Sequence, residues 1–272
     1  MSQFPNLDHE NELKSQGYEL IAGIDEVGRG ALAGPVVASA VILPHPSNLP
    51  WLELVRDSKE LNSKKREYLF DLINKEAVAV GIGIVRSQVI DSINILKATK
   101  LAMMQAVEKL PRQPHFLIID RVTLSQCPIP QRGITRGDKL CLSIACASII
   151  AKVTRDRMME GFDQIYPGYR FAQHKGYGTR KHISCLQQLG PSPIHRLYFA
   201  PVRNVIANQS SGNLASAHSE PFPFCHSDPE PFVSCHPEQS EGSGLSKRDS
   251  SAAPQNDNYY SQVTNHKLTT TE

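Results

Sequence analysis

No stretch constrains the fold of this chain as tightly as YELIAGIDEVGRGALAGPVVASAVIL, residues 18–43. Two runs within it, 18–26 and 35–43, are strand-length and rich in β-branched and small apolar residues. Runs so continuously apolar need cover on both faces, the condition of strands in a sheet sandwiched between helices. The first run nonetheless ends on two adjacent acids, Asp25 and Glu26, and Gly28-Arg29-Gly30 follows at once. Charge is thus set where one buried strand gives way to the next, beside a turn whose glycines leave the backbone bare.

The rest of the pattern extends an α/β reading. Residues 61–77 have helical spacing, with Asn62 or Ser63 as N-cap and Leu69, Phe70 and Ile73 on one face. VAVGIGIV, 78–85, reads as a third strand, and 87–110 as one long helix capped by Ser87 and stopped before Pro111. HFLIID, 115–120, is a buried strand that ends on an acid. Residues 143–165 form a helix whose Ala145, Ala147 and Ala151 permit close packing. Strands mixed with helices in this way predict a central sheet flanked on both faces.

Composition changes near residue 207. Before it the chain is globular in character; from Asn208 onward Ser, Pro, Asn, Gln and His dominate, too few apolar groups to offset ordering entropy. Residues 1–207 hold 26 Lys+Arg against 19 Asp+Glu, whereas 208–272 hold 3 against 8. The expected organisation is an N-terminal extension over 1–17, a globular domain over 18–207 and a disordered acidic tail over 208–272. The tail's repeat, EPFPFCHSDP then EPFVSCHPEQ, puts Cys225-His226 in register with Cys235-His236. Without a folded frame it reads as low complexity, not as a metal site. Within the domain, residues 132–203 carry 12 Lys+Arg against 4 acids, which suits a polyanion or simply a solvated basic surface.

No apolar run approaches the ~20 residues of a membrane span, and MSQFPNLDHENELKSQG lacks the apolar core of a signal peptide. Cys127, Cys141, Cys146 and Cys185 have no zinc-site spacing and read as reduced thiols. A cytoplasmic protein without a membrane partner is expected.

Four acids stand out by context. Asp25 and Glu26 end the first strand, Asp120 ends HFLIID, and Asp138 in TRGDKLCLSIACAS precedes the small-residue helix. Singly, each reads equally well as an ion pair or a helix cap. Together, acids at strand ends and a helix start can converge at one sheet edge, where open α/β folds place their sites. Crowded carboxylates repel, and a hard divalent cation, Mg²⁺ or Mn²⁺, is the usual resolution. One geometric condition applies. Neighbours on a regular strand face opposite ways, so Asp25 and Glu26 share a site only if the strand breaks at Val27 or just before it.

Further blocks follow in order: RDSKEL, INILKATKLAM, LIID, GDKLCLSIACASIIAKVTRDR, FAQHKGYGT and SPIHRLYFAPVR. With GIDEVGRG they resemble the ribonuclease HII family, the bacterial type 2 ribonucleases H, over roughly residues 18–204. The resemblance implies a ribonuclease H-like fold: a central mixed sheet flanked by helices, with a helical C-terminal part. It implies an endoribonuclease acting on RNA/DNA hybrids and on ribonucleotide-containing duplex DNA, leaving 3′-hydroxyl and 5′-phosphate ends, in DNA repair. The family's acidic quartet falls on Asp25, Glu26, Asp120 and Asp138, which would hold two Mn²⁺ or Mg²⁺ ions, with Asp25 and Asp120 as the shared ligands. Gly28, Arg29 and Gly30 match its ribose-reading loop. Tyr177 matches the tyrosine that packs on the neighbouring deoxyribose. Lys59, Lys152 and Arg155 are the expected backbone-phosphate contacts, the last two at i, i+3 on one helix. A monomer is expected.

Two positions depart from that pattern. Arg121 follows Asp120 where the family usually has Gly, and Gly178 follows Tyr177 where Pro is common. The related ribonuclease HIII carries an extra N-terminal domain, for which the 24 residues before Asp25 are too few. A hybrid-binding protein without catalysis would lack an acid, and all four are present.

Overall fold

The computed structural model describes residues 4–45 and 49–212. In chain order the elements are α1 (Asp8–Ser15), β1 (Ile21–Val27), β2 (Val36–Ile42), α2 (Ser63–Glu76), β3 (Ala79–Val85), α3 (Ser87–Ile93) and α4 (Ile95–Glu108). There follow β4 (Phe116–Asp120), β5 (Gln131–Ile134), α5 (Gly137–Leu140), α6 (Leu142–Ile165), α7 (Phe171–His174), α8 (Arg180–Leu189) and α9 (Ala200–Gly212). The five strands form one mixed sheet in the order β3-β2-β1-β4-β5. The first three pair antiparallel, whereas β4 runs parallel to both β1 and β5. This is the expected ribonuclease H-like mixed sheet.

Helices cover both faces, as the unbroken apolar strands require. Ala22, Ile24, Ala38, Ala40, Leu117 and Ile119 meet α4 on one face. Val41 meets α2 and α6 on the other, and Ile21 and Ile118 meet the start of α6 on that same side. Alternation along β1 therefore assigns Gly23 and Asp25 to the α6 face and Ile24 and Glu26 to the α4 face.

Two expectations are corrected by local chemistry, and one strand lies where none was expected. The helix expected over 87–110 is two helices. Asn94 adopts φ +67° and its side chain accepts from the N–H groups of Leu96 and Lys97, capping α4. Ser87 is the first residue of α3 and makes no cap; the N-cap position belongs to Arg86. β5 escaped notice because QRGI is polar, being an edge strand partly open to water. Asn62, by contrast, caps α2 as expected, accepting from Lys65 N at 2.9 Å.

The N-terminal segment belongs to the body of the fold. Leu13 is buried, and the buried Glu10 carboxylate accepts from Ser143 N (3.0 Å) and Ser143 Oγ (2.7 Å) in the first turn of α6. At the other end, α9 crosses residue 207 and runs to Gly212, its Val202 and Val205 packed with Leu32 and Leu186. The tail from 213 onward, including the Cys-His repeat, lies outside the described residues. Among the described residues no helix is long and apolar enough to cross a membrane.

Candidate active site

At the end of the sheet where β1 and β4 terminate lies a cleft of about 470 Å³. Every site residue expected from the sequence lines it except Arg155. Topology explains the convergence. β1 and β4 are parallel neighbours, so Asp25 and Asp120 emerge at the same edge, and the ladder between them stops at Ile24–Ile119. α5, directly before α6, brings in Asp138.

The expected break in β1 does not occur. Asp25, Glu26 and Val27 remain paired with Ser39, Ala38 and Val37. Glu26 and Asp25 keep opposite parity, and the cleft reaches both because it wraps around the end of the strand, beyond the last β4 pair. The Glu26 carboxylate is held by Arg29, whose Nη1 stands 3.1 Å from Oε1. Asp120 Oδ1 accepts from Gly137 N at 2.8 Å. Lys59 Nζ lies 3.6 Å from Asp138 and 3.8 Å from Asp57.

Asp25, Glu26 and Asp120 are hard to ionise. Burial pushes the Asp25 pKa well up, and the charges of Glu26 and Asp120 push it further, against a bond from Ser148. Burial also raises Glu26, with Asp120 adding to it and Arg29 opposing. Asp120 is raised by burial and by Asp138. For Lys59, burial works against the ammonium, but Asp57, Asp138 and Asp25 outweigh it and raise the pKa. Acids converging on one cleft and partly withdrawn from water, with no His or Cys among the residues that line it, are the donor set a divalent cation fits. As the side chains stand, no three Asp, Glu, His or Cys among the described residues are gathered closely enough to enclose an ion. The structure instead holds Arg29 against Glu26 and Lys59 against Asp138.

Arg155 is corrected outright. It is fully buried, donating to the carbonyls of Pro35 (2.9 Å), Lys175 (2.8 Å) and Ala33 (3.1 Å), with its guanidinium 5.4 Å from the Tyr177 ring centroid. It braces the loops beneath the cleft and does not reach a phosphate. Lys152 lines the wall, but its Nζ is 2.7 Å from Asp156 and burial lowers its pKa. Lys59, with 76% of its side chain exposed, is a cation at the rim.

Glycine is required at position 28, where φ is +93° and a Cβ would lie 2.2 Å from Arg155 Nε. At Gly30 a Cβ would meet nothing within 4 Å, because the residue faces open cleft. Ser58 and Ser148, joined Oγ to Oγ at 2.9 Å, also line the cleft and were not anticipated. A lone serine in a helix of small residues carries no sequence signal.

Arg121 adopts φ +61°, the left-handed region that glycine occupies freely. Its Nε lies 3.8 Å from Asp120 Oδ2. Arg121→Gly should relieve about 1 kcal/mol of strain and raise Tm by roughly 2–4 °C. An unchanged or lower melting temperature by calorimetry would contradict it.

A family model described as ribonuclease HII matches residues 22–202. Ribonuclease HII of Dehalococcoides mccartyi is 55% identical over 202 residues, covering 74% of this chain and 95% of that protein. The Bacillus pumilus ribonuclease HII is 54% identical over 201 residues, covering 74% of this chain and 78% of that one. Among solved structures, ribonuclease H2 from Pyrococcus horikoshii aligns with a TM-score of 0.57 at 25% identity, covering 70% of this chain and 98% of that one. The Bst ribonuclease HIII, solved in complex with Mn²⁺, aligns with a TM-score of 0.55 at 19% identity, over 71% of this chain and 70% of that one.

Proposed function

The chain belongs to the ribonuclease HII family, and from that premise we propose that it cuts on the 5′ side of single ribonucleotides embedded in duplex DNA. Its coarser activity follows from membership: it is a ribonuclease H, an endoribonuclease acting on RNA/DNA hybrids. The family depends on divalent metal. The finer reading is supported by one observation above all. Three hard-to-ionise acids, Asp25 buried and Glu26 and Asp120 half-buried, share a single cleft with a bare-backbone turn and an aromatic ring.

Asp25, Glu26, Asp120 and Asp138 would hold two Mg²⁺ or Mn²⁺ ions. Bound there, such ions supply charge neutralisation and an acidified water. In the reaction, water oxygen attacks the phosphorus and the bond to the 3′-oxygen breaks. Water gives up a proton, the leaving oxygen gains one, and the ends are 3′-hydroxyl and 5′-phosphate. The acids must be ionised to act as ligands, and the raised pKa values of Asp25, Glu26 and Asp120 make cleavage fall as pH drops.

Gly28 and Gly30 let backbone groups approach a ribose, and the 2′-hydroxyl is what separates RNA from DNA. The empty space beside Gly30 is where a side chain would obstruct that approach. Tyr177 lines the same cleft and would pack on the adjoining deoxyribose, where an added hydroxyl is unwelcome. Lys59, exposed at the rim, meets backbone phosphate. The enzyme acts as a cytoplasmic monomer in ribonucleotide removal.

The test is the cut position on a duplex containing one ribonucleotide. Cleavage 5′ of it is expected, and cleavage elsewhere or none overturns the reading. Tyr177→Ala should lower kcat/KM on this substrate about tenfold more than on a continuous RNA/DNA hybrid, the loss of one sugar-stacking contact. Equal losses on both would remove the junction-reading role.

A further inference from the structure

Behind Tyr177, outside the cleft, three histidine rings are buried together. His182 and His195 are 0% and 2% exposed, and the His174 ring stacks on His182 at 4.2 Å. Their hydrogen bonds fix the protons. His182 Nδ1 faces the Tyr177 carbonyl at 2.9 Å, so Nδ1 carries the hydrogen and donates it. His182 Nε2 is then a bare acceptor, 3.0 Å from His195 Nε2, which must donate. His195 Nδ1 is in turn the acceptor for Ser192 N–H at 2.9 Å. His174 is satisfied separately, accepting from Gly176 N at 3.2 Å and donating to the Tyr169 carbonyl at 2.8 Å. One proton arrangement satisfies the set, with each ring neutral. Burial supports it, lowering His182 to about 4 and His195 to about 3.

The chain of bonds joins two parts of the candidate site. One end is the main chain of Tyr177. The other is the 192–196 turn, which carries Arg196, and Arg196 donates to the carbonyls of Gly34 (2.9 and 3.1 Å) and Arg29 (2.9 Å). Bridges between Ala33 and His195 and between Ala31 and Tyr177 complete a ring of contacts around this tie. A pair of apolar aromatics could fill the same volume without burying polar nitrogens. What the imidazoles add is a directional bond of fixed length.

The geometry points to His182 and His195 as positioning residues that set the spacing between the Gly28-Arg29-Gly30 loop and Tyr177, and so the preference for a ribonucleotide–deoxyribonucleotide junction over continuous hybrid. The inference rests on the proposed junction-reading role of Tyr177. Neither histidine lines the cleft, so both act through other residues.

The readout is the ratio of kcat/KM on a duplex with one ribonucleotide to kcat/KM on a continuous hybrid. His182→Phe keeps a ring but removes donor and acceptor, and should lower the ratio about tenfold. His182→Asn, which can still donate to the Tyr177 carbonyl, should recover part of it. His195→Phe, cutting the tie from its other end, should lower the ratio too, which covers the case where His182→Phe fails to fold. In a Tyr177→Ala background His182→Phe should cause no further change, since coupled residues are not additive. If Tyr177→Ala lowers the ratio and the folded histidine variants leave it untouched, the positioning role is refuted while Tyr177 keeps its own. If Tyr177→Ala leaves the ratio unchanged, both readings fall together.

Discussion

Asp25→Asn should lose cleavage by at least about 10³-fold while melting at a higher temperature than the native chain in EDTA. The two halves of that result share one cause. Asp25 is 6% exposed, and burial, then Glu26 and Asp120, hold its pKa above the ordinary range. A raised folded pKa means the folded state binds the proton more tightly than the unfolded state, whose carboxyl titrates near about 3.9. Stability is therefore lost as pH rises through the window between them, and at neutral pH the ionised group opposes folding. Asparagine removes that cost and keeps the shape. Added Mg²⁺ or Mn²⁺ should raise the melting temperature of the native chain, by about 2.7 kcal/mol of stability at 100 times Kd, and should do far less for Asp25→Asn. Asp120→Asn should lose activity similarly. Robust cleavage by either variant, or equal cleavage by the native chain with EDTA and with Mg²⁺, would refute the ligand assignment.

Gly23→Ala should destabilise the fold by about 3 kcal/mol or more, lowering Tm by roughly 6–12 °C. Gly23 sits on the α6 face of β1, two residues before Asp25. A Cβ there would lie 2.3 Å from the backbone carbon of Ser143 and 2.4 Å from Ile144 N. Backbone cannot rotate away as a side chain can, so α6 itself must move. That helix carries Ser148, which bonds Asp25, and Arg155, which braces the loops below Tyr177. Activity should drop with stability. Gly30→Ala is the contrast: with nothing within 4 Å of its Cβ, Tm should stay within about 1 °C, while activity falls because the cleft narrows. Calorimetry of both proteins decides it, and an unchanged Tm for Gly23→Ala would mean that α6 does not bear on β1 as described.

Much of the site was legible from neighbours in sequence. Acids ending apolar strands declare themselves because charge is costly in a buried run, so Asp25, Glu26 and Asp120 were conspicuous. Arg155 misled for an instructive reason. Its i, i+3 spacing from Lys152 puts the two on one side of α6, yet what covers that side changes within a turn. Lys152 meets the cleft, whereas Arg155 lies under residues 33–35 and 175, far away in sequence. The strand break demanded for Glu26 failed similarly. Alternation was obeyed, but the cleft's course around the strand end is a property of where β4 stops.

Periodicity and composition were enough for a sheet covered on both faces and for the edge at which the acids emerge, because burial on two faces writes itself into every residue of a strand; that the sheet is mixed came from the family resemblance. Register, contact and proton placement were not. That Gly23 must admit a helix, that Arg121 stands in a glycine's conformation and that His182 and His195 tie Tyr177 to the turn after it each depend on groups brought together only when the sheet and its helices close.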